Sequence, residues 1–351
     1  MNYSKFDLSQ ERILITGGCG FIGHHLATLL REAKCNVMVV DSLMHNNITY
    51  FWGNQHGLPL PTKEIYLEFL RSRLKIIGVS GCIFENIDSR NMSDLQNLFI
   101  KFKPTKVVHL AAIANAKTSN LKPDVAFDNS ISTLKNALEC IRLSPYKVGQ
   151  LIFLSSSMVY GDFPPEGVYE DFPLNPKGIY GSLKLCAEQM ILAYNKVYKI
   201  PFTIARPSAL YGSRCVSRRV TSLFIENAIQ GKPLEIEGDG EQKLDFTYIK
   251  DLIQGLFRII IKPEGKNQTF NLTYGEHRTI NSLAAIIKKH FPDTKIVRKK
   301  RDQLTPFRGT LKIDKAKKLL GYQPEYPLEI GYPEYINWYK EALRDYQNLI
   351  K

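Results

Sequence analysis

RILITGGCGFIG, residues 12–23, decides how this 351-residue chain is read. Residues 12–16 form a short apolar run without polar alternation, the pattern of a strand buried on both faces of a parallel sheet. Gly17, Gly20 and Gly23 follow at three-residue spacing, and residues 21–33 continue with the periodicity of a helix. A strand that breaks into a helix through such glycines lets backbone N–H groups approach a pyrophosphate closely. The first turn of the helix then adds its partial positive charge. A second apolar run, residues 36–40, ends at Asp41, where an acidic side chain in this arrangement meets the hydroxyls of an adenosine ribose. No Arg or Lys lies between Asp41 and Pro61 to neutralise a 2′-phosphate, so the expected cofactor is NAD rather than NADP.

Outward from this unit the same rhythm continues. Residues 82–86, 106–110, 150–154 and 202–206 read as further strands. Residues 92–102, 124–143 and 179–198 read as the helices between them. Strands separated by helix-length segments predict an α/β protein with a Rossmann-type, doubly wound parallel sheet. Residues 1–206 then form the NAD-binding domain. Residues 43–80 interrupt the rhythm as an insertion: Trp52, His56, Pro59 and Pro61 suggest a loop, and residues 63–77 a short amphipathic helix. Such a stretch covers a site or merely decorates the surface. After Arg206 the elements shorten, with helices expected near 219–230, 251–261, 280–290 and 332–349. Residues 207–351 are read as a smaller C-terminal α/β region, mainly for substrate, with some segments returning to the first domain.

Bulk composition narrows the class. The chain is 44% hydrophobic and 23% charged, ordinary for a soluble enzyme. No apolar run approaches the ~18–20 residues of a membrane span, and residues 1–10 lack the apolar segment of a signal peptide. A cytoplasmic protein without membrane contact is expected. Cys19, Cys35, Cys82, Cys140, Cys186 and Cys215 show neither paired spacing nor a histidine-rich partner segment, which predicts reduced thiols and no metal site. The net charge is +13, yet basic residues are dispersed. The one dense run is Arg298-Lys299-Lys300-Arg301, either a solvated surface or in part a neighbour of a nucleotide diphosphate. Without aromatic-interleaved basic repeats, a small polyanion is the expected partner rather than nucleic acid.

Two further stretches carry chemistry. Tyr180 and Lys184 are four residues apart in the helix expected over 179–198 and so share a face. A lysine ammonium stabilises a phenolate and can also hold a ribose. Ser155, Ser156 and Ser157 follow the strand expected over 150–154, at the end of the sheet where open α/β proteins bind ligands. A hydroxyl there, with Tyr and Lys on the next helix, makes a proton-transfer set.

Together these residues resemble the extended short-chain dehydrogenase/reductases, specifically the NAD-dependent nucleotide-sugar epimerase/dehydratase family. The likeness is carried by TGGCGFIG (16–23), Asp41, the turn 88–90, HLAA (109–112), Asn129, LSSSMVYG (154–161) and YGSLK (180–184). It extends through ARP (205–207), YG (211–212), GDG (238–240), DFTY (245–248) and Asp251 to the tail 313–321 and Pro324. The resemblance implies a catalytic set of Ser156, Tyr180 and Lys184. It implies a cofactor site of Gly17, Gly20, Phe21, Ile22, Gly23, Asp41, Asp88, Ser89, Leu110, Ala111, Ala112 and Asn129, with Tyr180 and Lys184. The substrate site implied comprises Ser156, Ser157, Arg206, Ser208, Lys243 and Arg301. It also implies a homodimer built on the helices near 124–143 and 179–198.

Three positions depart from the family pattern. Met158 stands where the 4,6-dehydratases and decarboxylases usually carry a glutamate, and a thioether transfers no protons. Ala209 replaces a frequent asparagine. Leu244 replaces a frequent phosphate-binding arginine, for which Lys243 would offer only a point charge. The expected reaction is NAD-dependent epimerisation of a nucleotide sugar, at C4, through a transient keto intermediate. The alternatives are a 4,6-dehydratase, a decarboxylase or a net sugar oxidoreductase, and, in a different class, an NAD-binding regulator without catalysis.

Overall fold

A computed structural model describes residues 3–45, 47–52, 60–302 and 305–349. The apolar runs form strands β1 (Arg12–Thr16), β2 (Asn36–Val40), β3 (Ile83–Glu85), β4 (Lys106–His109), β5 (Gln150–Leu154) and β6 (Phe202–Arg206). Their alternating residues enter two different cores. Ile13, Ile15, Val37, Val39, Val108 and Ile152 face one layer, while Leu14, Met38, Val40, Val107, Leu151 and Phe153 face the other. This two-sided burial is why the runs read as continuously apolar.

Between the strands lie α1 (Phe21–Glu32), α2 (Ile48–Trp52), α3 (Leu60–Val79), α4 (Met92–Phe102), α5 (Ala116–Leu121), α6 (Pro123–Phe127), α7 (Thr133–Leu143) and α8 (Gly178–Tyr198). Local chemistry sets their ends. Asn91 caps α4 by accepting from the N–H groups of Ser93 and Asp94, and Lys103 ends it in a left-handed conformation. Gly20, by contrast, gives α1 no capping side chain, which leaves first-turn N–H groups for a ligand.

Short strands β7 (Leu210–Tyr211), β8 (Leu234–Glu237), β9 (Lys243–Leu244) and β10 (Thr247–Tyr248) follow, with α9 (Val220–Ile229) and α10 (Ile249–Ile261). Then come β11 (Gln268–Asn271), β12 (Arg278–Thr279), α11 (Ile280–His290), β13 (Ile296–Lys299), α12 (Asp314–Leu320) and α13 (Leu328–Leu349). The main sheet has the order β11-β6-β5-β4-β1-β2-β3, and every pairing in it is parallel. Chain order reverses between β1 and β4, so the crevice opens beyond the C-terminal ends of those two strands. The remaining short strands form two parallel pairs, β7 with β10 and β8 with β13, and the antiparallel pair β9 with β12.

The fold departs from the sequence reading in three places. The insertion is mainly helical: α3 spans Leu60–Val79, three residues beyond residues 63–77 at the N-terminal side and two at the other, while His56 and Pro59 lie outside the described residues. The helix expected over 124–143 is interrupted by a π-turn at Asp128–Ser132 between α6 and α7. The seventh strand, β11, was not anticipated, because QTFN is short and mostly polar, yet it pairs in register with β6 from Gln268–Thr203 to Asn271–Arg206. Among the described residues, no helix is long and apolar enough to cross a membrane.

Candidate active site

The crevice is a cavity of about 830 Å³. Its floor is the glycine turn. Gly17 has φ +68°, and a Cβ there would lie 2.8 Å from the backbone nitrogen of Ala111. A Cβ on Gly23 would come within 2.5 Å of Gly18. Any side chain at either position would push the β1 turn off the β4 turn or lift α1, so the cradle exists only as glycine. Gly17, Gly20, Phe21, Ile22, Gly23, Asp41, Asp88, Ser89, Leu110, Ala111, Ala112 and Asn129 all line the cavity. The π-turn carries Asn129 there and places Thr133 against the Ala111 carbonyl at 3.3 Å. Asp41 accepts from the N–H groups of Leu43 (2.8 Å) and Cys19 (3.0 Å). Burial raises its pKa, and those hydrogen bonds together with the charge of Arg73 oppose the rise. Asp88 is already held by Arg90 at 2.6 Å. This uncapped, glycine-floored cradle, with an acidic side chain at the ribose end, fits a dinucleotide.

Arg73 lies beyond residues 42–60, the stretch without Arg or Lys that points to NAD. It arrives on α3, is 1% exposed and lines the same cavity. Its guanidinium is tied to the Arg214 carbonyl, with Nε at 3.2 Å. α3 is held in turn by Tyr66, which donates to Glu226, and by Phe69, which packs on Trp338 with centroids 4.8 Å apart. The insertion therefore forms part of the cavity wall.

Ser156, Tyr180 and Lys184 meet on the opposite side of the crevice. Ser156 begins a short 3-10 turn at the end of β5 and accepts from the Met158 N–H at 3.2 Å. Burial raises the pKa of Tyr180, while the Arg219 guanidinium and a hydrogen bond with Ser156 pull it back. The cation that acts on the phenol here is thus Arg219, from the start of α9. Lys184 donates to the Leu154 carbonyl at 2.7 Å and sits 4.8 Å from the Phe153 ring centroid. Burial lowers its pKa to about 8, against the opposing effect of Glu188.

Of the substrate residues expected, Ser156, Ser157 and Ser208 line the cavity. The buried Ser208 hydroxyl has no hydrogen-bond partner among the described residues. Arg206, Lys243 and Arg301 are not in the lining. Arg206 turns behind the sheet end into a buried ion pair with Glu188 at 2.6 Å. Lys243 stands on a two-residue strand whose alternation buries Leu244 and exposes the lysine. Arg301 donates to the Thr305 carbonyl at 2.9 Å and stacks on Phe307, 3.7 Å from its ring centroid. The rest of the basic run is largely engaged at the surface: Lys299, which reaches the cavity rim, pairs with Glu235 at 2.7 Å, and Arg298 donates to Asn281 at 3.1 Å.

Among the cations that do line the cavity are Arg219 and Arg308, which no local pattern in the sequence marks. Arg308 is half-buried in the cavity wall. Burial and the like charge of Arg219 push its pKa down to about 10, and its Nε has no partner among the described residues. Neither arginine has an acidic ion-pair partner among the described residues. Arg219 donates to the Ala114 carbonyl at 3.2 Å. Two guanidiniums that act on one another and have no carboxylate paired with either form a site for an anion. Met158, Ala209 and Leu244 line the same space and bring no charge to it.

A glycine cradle for a dinucleotide, a Ser/Tyr/Lys set and a cationic recess in one crevice define an NAD-dependent enzyme of the short-chain dehydrogenase/reductase type. The model of the NAD dependent epimerase/dehydratase family matches residues 13–273, and the chain belongs to that family. It is similar, at 33% identity over 95% of this chain and 99% of the relative, to a putative UDP-glucose 4-epimerase of Methanocaldococcus jannaschii. It is 31% identical to a UDP-glucuronate 4-epimerase of Thermodesulfobacterium geofontis, over 94% of this chain and 96% of that one. Among solved structures, a variant of the UDP-glucuronic acid 4-epimerase of Bacillus cereus, in complex with UDP-4-deoxy-4-fluoro-glucuronic acid and NAD, superposes with a TM-score of 0.83. It is 26% identical and the match covers 94% of this chain and 99% of that chain.

Proposed function

We propose that this enzyme inverts C4 of a nucleoside-diphosphate sugar, and the observation that carries the reading is the joint presence of Tyr180, Ser156 and two unneutralised arginines in one NAD cavity. Gly17, Gly20 and Gly23 with the first turn of α1 would hold the cofactor pyrophosphate, Asp41 the adenosine ribose, and Lys184 the nicotinamide ribose. NAD, when bound, supplies reversible hydride transfer at the sugar carbon. Tyr180 takes the proton from the C4 hydroxyl and returns it after inversion. Ser156 hydrogen-bonds the same oxygen. Arg308, which has no carboxylate ion-pair partner among the described residues, would meet the substrate diphosphate. Met158, beside Ser157, offers no proton at C5 or C6, which sets epimerisation above dehydration.

Arg219 supports a finer reading. A hexuronate carboxylate is two bonds from C4, so a guanidinium that acts on Tyr180 is placed for an acidic sugar. UDP-glucuronate is the first candidate. Residues 1–206 would form the cofactor domain, with 207–351 mainly for substrate. Leu121, Phe127, Leu143, Leu192, Val197 and Tyr198 are exposed on or beside the helices expected to pair two copies. This supports a homodimer, and the composition supports a cytoplasmic location. The test is to incubate the purified protein with UDP-glucuronate, UDP-glucose and other nucleotide sugars and to follow anomeric proton signals by NMR. A C4-inverted product supports the reading; a 4-keto-6-deoxy sugar, a pentose or net NADH accumulation refutes it.

A further inference from the structure

α8 places Tyr180, Lys184 and Glu188 at successive four-residue steps, along one face. The first two reach the cavity and the third does not. Glu188 is 1% exposed and Arg206 4%. Their pairing is two-pronged: Arg206 Nε donates at 3.0 Å to one carboxylate oxygen and its terminal nitrogen at 2.6 Å to the other. Ser155, the residue before Ser156, also donates to Glu188. The other arm of Arg206 donates to the Tyr160 hydroxyl at 2.9 Å and the Glu170 carbonyl at 2.8 Å. The Tyr160 hydroxyl donates in turn to the Asn271 side-chain oxygen at 2.7 Å, on β11. A network this complete fixes Glu188 in place.

Burying an ion pair contributes little net stability compared with apolar residues of the same volume, so packing alone does not account for it. The groups facing Lys184 show what it does. From β5 come the Leu154 carbonyl and the Phe153 ring. From β4 comes His109, whose Nδ1 is hydrogen-bonded to Thr16 at 2.8 Å. Burial and the nearby ammonium keep its imidazole neutral, with a pKa of about 3. From β6 comes Arg206, behind the carboxylate. Tyr180 lies one turn earlier on α8. Among the described residues, Glu188 is the carboxylate acting on this desolvated ammonium.

We propose that the Glu188–Arg206 pair is a positioning device for Lys184: Arg206 and Ser155 hold the carboxylate one turn behind the lysine, on the same face of α8, as a fixed negative charge beside the buried ammonium that works on the cofactor. This rests on the assignment of Lys184 to the nicotinamide ribose. It also gives Arg206 a part in the reaction without contact with substrate.

NAD retention tests this without any sugar. The full-length holoenzyme is washed by filtration at a series of values from roughly pH 6 to 10, and bound NAD is measured, with circular dichroism confirming the fold. A protonated Lys184 strengthens the site below its pKa, so retention is expected to fall as pH rises through about 8 and above. Removing both charges with Glu188→Gln and Arg206→Met avoids stranding either in the interior. That protein should show the same fall at least about one unit lower, hence about tenfold weaker retention on the alkaline side of neutrality. Arg206→Lys, which leaves the carboxylate paired, should keep the original midpoint. Lys184→Met should remove the step, and adding the Glu188 change to it should do nothing more. An unmoved midpoint in a folded Glu188→Gln, Arg206→Met protein overturns the proposal, as does an effect undiminished by Lys184→Met. If Lys184→Met holds NAD as the unaltered protein does, the cofactor role of Lys184 falls first, and the proposal with it.

Discussion

Arg308 is a half-buried guanidinium in the cavity wall with another guanidinium as its charged neighbour. Such a residue is tolerated where a ligand completes it, so Arg308→Ala should weaken UDP binding by about 1.5–3 kcal/mol, the range for hydrogen bonds to charged groups, while NAD binding stays unchanged in calorimetry. Asp41→Ala should do the reverse: a loss of about 1–2 kcal/mol in NAD affinity with UDP unaffected. NADP binding more tightly than NAD to the unaltered protein would contradict the role of Asp41. Tyr180→Phe should abolish turnover and leave NAD bound. At this scale legibility followed sequence distance. The glycines and the Tyr180/Lys184 pair are spacings within one turn or helix, and all of them reach the cavity. Arg219 and Arg308 are brought there by tertiary folding, and no local pattern marks either. The family resemblance implies a substrate contact for Arg206, and the structure turns that side chain to Glu188 instead. Glu188 lies two turns beyond Tyr180 on α8, and no sequence pattern ties it to Arg206: which of the two faces a strand-end arginine takes is decided by packing across the sheet.

The elements β1, β2, β4, β5 and β6 were legible because burial on both faces leaves an apolar run that flanking helices cannot imitate, whereas the edge strand β3 keeps Ile83 and Phe84 exposed. β11 was illegible for the opposite reason. It is an edge strand of four residues, with one neighbour to satisfy and only Phe270 and Asn271 buried in it. The π-turn at Asp128–Ser132 has no composition of its own, and it shifts the helix face by a fraction of a turn just where Asn129 meets the cavity. The insertion was recognised by its length, while its use was not. Arg73 on α3 braces the loop that leads into α9, because its guanidinium holds the Arg214 carbonyl and Arg214 Nε reaches back to Ser72 at 2.9 Å. Arg73→Leu would leave that buried carbonyl with a lost partner. It should lower stability by about 1–3 kcal/mol in urea unfolding of the apoprotein, and it should weaken NAD as the wall beside Asp41 loosens.

For the molecule as a whole, the +13 charge is dispersed, and its cavity share includes Arg219 and Arg308, guanidiniums suited to phosphate or carboxylate. Binding to random duplex DNA at physiological salt should therefore be negligible. A gel shift at low micromolar protein, inside the ~10⁻⁴–10⁻⁶ M range of non-specific binders, would count against a small-molecule role for that charge. The reaction itself has an isotopic signature. In deuterated water, C4 inversion should place no solvent deuterium on carbon, whereas deuterium at C5 with loss of the C6 oxygen would mean dehydration. The sheet order has a further consequence, for biosynthesis. β6 is fully buried in the finished protein, but its outer neighbour, β11, is translated only after β7 to β10 and two helices. Until then a nascent chain carries an open apolar edge, the kind of surface that templates aggregation. A ribosome stalled or a gene cut anywhere between β6 and β11 would thus release a nearly complete nucleotide-binding half that cannot close its own sheet. Pulling this enzyme apart at the apparent boundary near residue 206 should yield inclusion bodies, not an independent NAD-binding module.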